Sequence, residues 1–145
     1  DKTGDAAMRV TIHNCWWVGN ERRQPLVRYA WVHLFNNLHE HWGTSSGGGE
    51  NVLATYNSQL YVENSIFDAD VNKIAVEFDG SPWIPVPGNA RMMGNVLQNG
   101  AQEFERNPGS VFTPSGQYTY TAVPADASLK ALIQSEAGWQ NASFF

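Results

Sequence analysis

The sequence predicts an all-β solenoid, in which successive coils of chain add short strands to continuous sheets. Three observations predict it. Runs rich in β-branched and aromatic residues recur: "MRVTIHNC" (8–15), "WVHLFNN" (31–37), "SQLYVENSIF" (58–67), "KIAVEF" (73–78) and "MMGNVL" (92–97), with Gly, Pro, Asn and Ser filling the gaps. An asparagine sits in or at the end of four of these runs, at Asn14, Asn36, Asn64 and Asn95, stepping by about 22, 28 and 31 residues. Helical periodicity is hard to find before residue 127. One strand and one Asn per repeat suits stacked coils whose equivalent asparagines hydrogen-bond side chain to side chain. An antiparallel sandwich of short strands meets the same pattern and stays open at this level.

The remaining elements follow in order. "TSSGGGE" (44–50) and "DGSPWIPVPGN" (79–89) are loops by composition. "DASLKALIQSEAG" (126–138) predicts a short helix, with Asp126 or Ser128 as its cap and Gly138 as its stop. At 145 residues and 42% hydrophobic, the chain supports one domain, 1–145, with a genuine core. A net charge of -5 argues against bulk attraction to nucleic acid or an anionic membrane. No run approaches the ~18 apolar residues that span a bilayer. The N-terminal "DKTGDAAMRV" reads like a chain that begins in the middle of something. The single cysteine, Cys15, forms no internal disulfide and is expected to be a buried apolar residue.

Against that acidic background, Arg22, Arg23 and Arg28 fall within seven residues. The cluster points to a local site for an anion, or else to surface arginines paired with a carboxylate such as Glu21. His13 and His33 alternate with apolar residues and read as satisfied strand histidines. His39 and His41 have metal-like spacing around Glu40, but no further ligands follow at zinc-site distances. Trp16, Trp17, Trp31, Trp42, Trp83 and Trp139 are expected mostly in inward-facing stacks, with one or two lining a groove. Asn141-Ala142-Ser143 is a glycosylation sequon close to the chain end.

Three stretches, "VTIHN" (10–14), "RQPLVRYAWVHLFNN" (23–37) and "YVENSIF" (61–67), together resemble the secreted pectate lyases of polysaccharide lyase family 1. That family carries a "VTFHHN" strand, an R-x-P-x-x-R element, "G-x-x-H-x-x-NN" and an "EGNYF"-like strand. Arg23, Pro25, Arg28, His33, Asn36 and Asn37 fall in register with it, and "YTYTAVPADASLKALIQSEAG" resembles its C-terminal stretch. Leu26 and Ala30 depart from the usual arginine and glycine.

The resemblance implies a right-handed parallel β-helix, with a C-terminal segment packed back on it. It also implies a secreted enzyme that cleaves polygalacturonate by β-elimination. Arg23 takes the position of the base, although a guanidinium with a pKa above ~12 is an unusual one. Arg28 takes that of a forked donor to a substrate carboxylate. Pro25 stiffens the turn between them. The implied Ca2+ neutralises the carboxylate next to C5. Its acidic ligands belong to coils preceding "VTIHN", so none is assigned in this chain, neither Asp1 nor Asp5, and Lys2 lies too close to Val10 to be the family's substrate-binding lysine. The chain thus reads as C-terminal coils of such a helix, inactive alone. Two other readings remain: a pectin lyase, disfavoured because Arg28 is retained, and a non-catalytic polysaccharide-binding or self-assembling module. An uncovered N-terminal coil is expected to form homo-oligomers or exchange strands.

Overall fold

The computed structural model describes residues 2–43, 50–70, 73–78 and 85–138. Alternation of apolar residues builds its walls. The first coil holds β1 (Arg9–His13), β2 (Trp16–Val18) and β3 (Leu26–Arg28), and the second β4 (Trp31–Phe35), β5 (Leu38–Glu40) and β6 (Val52–Thr55). The third holds β7 (Gln59–Glu63), β8 (Ile66–Asp68), β9 (Lys73–Ile74) and β10 (Val76–Phe78). The fourth holds β11 (Asn89–Met93), β12 (Val96–Gln98) and β13 (Ala101–Gln102). Strands from successive coils stack in the orders β1-β4-β7-β11, β2-β5-β8-β12, β3-β6-β10 and β9-β13. Every pairing between these strands is parallel, which removes the sandwich alternative. The architecture is a right-handed parallel β-helix.

Register fixes the core. In the first sheet the columns Val10, Val32, Leu60, Ala90 and Ile12, Leu34, Val62, Met92 run through successive coils. From the second coil onward these columns are buried, and they merge with Val52, Ala54, Phe67 and Val76 into one apolar interior. The residues between them, such as Trp31, His33 and Phe35, face outward.

The asparagine repeat holds with one correction. Asn14, Asn36 and Asn64 share one turn position with left-handed backbones (φ 54, 50 and 45), but the fourth member is Gly94 (φ 63), not Asn95. A Cβ on Gly94 would stand 2.5 Å from Asn64 Oδ1, so a larger residue there would have to displace that side chain. Asn95 belongs to the next column, with Cys15, Asn37 and Ser65. There the expected side-chain-to-side-chain ladder is instead side chain to backbone. Asn37 Oδ1 accepts from Cys15 N (3.0 Å), Ser65 Oγ from Asn37 N (3.2 Å) and Asn95 Oδ1 from Ser65 N (2.9 Å). Each side chain thereby satisfies the backbone of the coil before it. Cys15 is half-buried in this column rather than a core residue, and burial pushes its thiol pKa up.

A helix the sequence did not suggest opens the chain, α1 (Lys2–Ala7). It has no buried residue and is held by local bonds such as Met8 N to Asp5 O (3.1 Å). The expected C-terminal helix is α2 (Ala127–Glu136), capped by Asp126, whose Oδ1 accepts from Leu129 N (2.9 Å). Leu129 and Ile133 pack on Leu38 and Ile66 of the second sheet's outer face. Between the last coil and α2 the chain crosses the outer face of the first sheet. Tyr118 OH meets Thr11 Oγ1 (2.8 Å) and His33 Nδ1 (2.6 Å), and Tyr120 OH donates to Glu63 Oε1 (2.5 Å).

The two ends of the solenoid differ. Beyond β11 the chain folds back, exchanging hydrogen bonds between Ala90 and Arg106. At the other end β1, β2 and β3 are the outermost strands of their sheets. Met8, Val10, Trp16 and Val18 are exposed there.

Candidate functional site

The arginine cluster leads into an outermost strand, with Arg22 and Arg23 ahead of β3 and Arg28 at its end. β3 pairs only with β6, matching Leu26 to Leu53, Val27 to Ala54 and Arg28 to Thr55. Upstream the two coils stay aligned: Arg23 N donates to Glu50 O (3.0 Å) and Gln24 N to Asn51 O (2.6 Å). Arg23 therefore lies beside Glu50, with its Nε 3.7 Å from Glu50 Oε1, while its side chain remains 54% exposed. Its backbone is left-handed (φ 64) and is followed by a cis Gln24–Pro25 peptide. Val27 turns into the core, and Arg28 projects to solvent at the far end of β3 with its guanidinium 5.5 Å from the ring of Tyr56.

One residue beyond the Arg28–Thr55 pair, Tyr29 and Tyr56 occupy matching places in successive coils. Both have left-handed backbones (φ 61 and 49), and their rings lie 5.2 Å apart at 40°. β3 is thus flanked by a guanidinium with a carboxylate neighbour at one end and a guanidinium with two aromatic rings at the other. Both arginines offer fixed N–H forks, the donor type suited to carboxylates. Arg22 is exposed beside them.

Part of the interior is polar. His39 turns inward and stacks between Trp17 (5.9 Å) and Phe67 (4.6 Å). Burial lowers its pKa to about 3, so it is neutral at ordinary pH. Trp17 Nε1, Gln24 Oε1 and Trp42 Nε1 are buried without hydrogen-bond partners among the described residues, and the buried Asn51 side chain neighbours His39.

The other sequence candidates are placed apart. His41 faces outward, opposite to His39, and its Nδ1 lies 2.7 Å from Asp70 Oδ1, a hydrogen bond that raises its pKa. Among the described residues, no group of three or more His, Cys, Asp or Glu side chains is placed to hold a metal. His39 and His41 thus point to opposite sides of the wall and do not converge on one ion. His33 is satisfied, as its alternation suggests. Its Nε2 lies 2.9 Å from Glu63 Oε1, and burial lowers its pKa despite that carboxylate.

The tryptophans divide more evenly than an inward stack requires. Trp17 and Trp42 are inside, Trp16 Nε1 donates to Glu40 (2.7 Å), and Trp31 lies outside between Arg9 (3.7 Å) and Phe112 (5.3 Å). Trp83, Trp139, Asn141 and most of both glycine- and proline-rich loops lie outside the described residues. Sequence reasoning missed Glu50, Tyr29 and Tyr56. Only the position of each tyrosine directly after a strand could have signalled the latter two.

Comparison with known proteins agrees with this geometry. The pectate lyase family model matches residues 1–142. Pectate lyase B of Colletotrichum gloeosporioides is 29% identical over 129 residues, which is 89% of this chain and 34% of that protein. Among solved structures, a pectate lyase from Bacillus sp. N165 in complex with trigalacturonate superposes with a TM-score of 0.69. It is 27% identical over 88% of this chain and 39% of that one. Pectate lyase II of Xanthomonas campestris superposes at 0.72 with 26% identity, over 95% of this chain and 42% of that one. The chain therefore spans well under half the length of these relatives. It belongs to the pectate lyase family.

Proposed function

We propose that this chain carries the arginine side of a site that cleaves polygalacturonate by β-elimination. The observation that supports this most is the exposure of Arg23, in the turn that leads into β3, and of Arg28 at its far end. In the reaction the C5–H bond breaks, its electron pair forms the C4=C5 double bond, and the C4–O bond to the neighbouring sugar breaks with release of that oxygen. Arg23 occupies the position of the base that receives the C5 proton. Arg28 holds a uronate carboxylate through its N–H fork. Glu50 must give up the Arg23 side chain before a proton can be received there.

The Ca2+ that the family resemblance implies finds no donor set among the described residues. Its ligands are expected outside this chain, in a protein that is secreted. The isolated chain is then inactive, and activity requires the part that brings the cation. Incubation with polygalacturonate and Ca2+, followed by ultraviolet absorbance of the unsaturated product, tests this. Rapid product formation by the chain alone would overturn it. Equal or faster action on methyl-esterified polymer without Ca2+ would favour the pectin lyase reading.

A non-catalytic assembling module is the second reading, and the first coil favours it. A cavity of about 170 Å³ lined by Met8, Val10, Ile12, Pro25, Leu26 and Val27 opens beside its outermost strands. Such edges recruit further strands. The chain therefore self-associates or exchanges strands through this coil, and a strict monomer by light scattering at micromolar concentration would count against it.

A further inference from the structure

We infer that Tyr29 and Tyr56 form an aromatic platform that seats one uronate ring of the polymer, with that sugar's carboxylate on Arg28. The inference rests on the reading of the site proposed above and adds to it the part of the substrate that is not charged.

The backbone carries the first argument. Most left-handed residues among those described are Asn or Gly, the types that adopt this conformation at least cost. Among the described residues the exceptions are Arg23, Tyr29, His41 and Tyr56. Two of these four, Tyr29 and Tyr56, directly follow β3 and β6, and Arg23 lies three residues before β3. A bulky aromatic residue in this region is strained, and strain of this kind gathers at functional sites. The same device occurs twice in register, since Tyr29 follows Arg28 and Tyr56 follows Thr55, the residue paired with Arg28.

The second argument is the arrangement of the rings. At 5.2 Å and 40° they are tilted rather than face to face, so neither ring covers the other completely. Both residues are half-buried, which holds the rings in place while leaving part of their surface outside. The Arg28 guanidinium is 5.5 Å from the Tyr56 centroid, so a cation and an aromatic surface adjoin. A uronate presents matching chemistry. One side of the pyranose ring is a patch of C–H groups suited to an aromatic surface, and the carboxylate at its edge suits a guanidinium fork. Aliphatic acids lack the ring and neutral sugars lack the charge, so the combined surface selects a uronate.

Titration calorimetry of the full chain with trigalacturonate tests the platform. Asn accepts the left-handed backbone, so Tyr29→Asn and Tyr56→Asn retain the turn while removing the ring. Each is expected to weaken binding about ten-fold, with the cooperative thermal melt preserved. Tyr56→Phe keeps the ring and is expected to bind within about two-fold of the unsubstituted chain. Asn variants that bind like the unsubstituted chain would overturn the platform, as would binding lost only together with the cooperative melt. If the unsubstituted chain bound no trigalacturonate, the reading of the site itself would fall, a result distinguishable from failure of the tyrosines alone.

Discussion

Asn36 and Val123 are joined twice: Asn36 Nδ2 donates to Val123 O (2.7 Å), and Val123 N donates to Asn36 Oδ1 (2.9 Å). The carboxamide acts as a surrogate peptide for a segment that has no strand partner at that point. Asn36→Gly keeps the left-handed backbone and removes both bonds, so it is expected to cost about 1–3 kcal/mol in urea unfolding. Hydrogen exchange should show the loss concentrated around residues 118–125. Asn14→Gly, at the exposed end of the same column, serves as the control and should cost under about 0.5 kcal/mol.

His39 sets an acid limit on stability. Its pKa is about 3 in the fold and ~6.5 in the unfolded chain, so between those values the unfolded chain binds the extra proton. Stability from this residue is therefore full above pH ~6.5 and declines as pH falls toward 3. His33, lowered by burial, acts in the same direction. His39→Phe, stacked between Trp17 and Phe67, should flatten the decline in melting temperature across this window. An unchanged pH profile would show that His39 does not titrate against the fold.

Lys130 ties α2 to the solenoid, with Nζ 2.7 Å from both Glu40 Oε1 and Asp68 Oδ2. Burial alone would raise the Asp68 pKa, but hydrogen bonds from Lys130 and Asn99 bring it below the ordinary value. This contribution is thus present above pH ~3.9 and lost as pH falls through the lowered folded value. Lys130→Met leaves two carboxylates facing each other and should cost about 2 kcal/mol at neutral pH, measured by denaturant unfolding. Adding Glu40→Gln should recover part of that loss.

In the proposed site Glu50 competes with the substrate for Arg23. Glu50→Gln removes a negative charge next to the proposed carboxylate-binding surface and is expected to tighten trigalacturonate binding about three-fold. Added salt should shrink the difference. Weaker binding would mean that Glu50 orients Arg23 rather than occupying it.

In a protein that also supplies the cation, Arg23→Lys should lower kcat by about a hundred-fold or more, the range expected for a removed proton acceptor. Arg28→Lys keeps the charge but loses the fork, so KM should rise more than kcat falls. The reverse split in a steady-state assay would exchange the two roles.

What the sequence made legible follows from range. Asn14, Asn36 and Asn64 stood out because a left-handed turn favours one residue type, and the Asp126 cap because its partner is three residues away. The one-residue slip at Asn95 came from Gly94, which takes the left-handed turn position that Asn holds in the other coils. Strands of three residues such as β3 and β5 are too short for alternation to register. The Arg23–Glu50 contact depends on how much chain the second coil uses before returning. Nothing in either local segment states that.

The segment crossing the first sheet has an effect on melting. A plain stack of repeats is held by nearest neighbours and frays from its ends, one repeat after another. Here Tyr118 grips Thr11 of the first coil and His33 of the second, and Tyr120 grips Glu63 of the third. One strap thus laces three layers lengthwise, so peeling away the outermost layer pulls on tethers shared with those beneath it, and all three are made to come apart together.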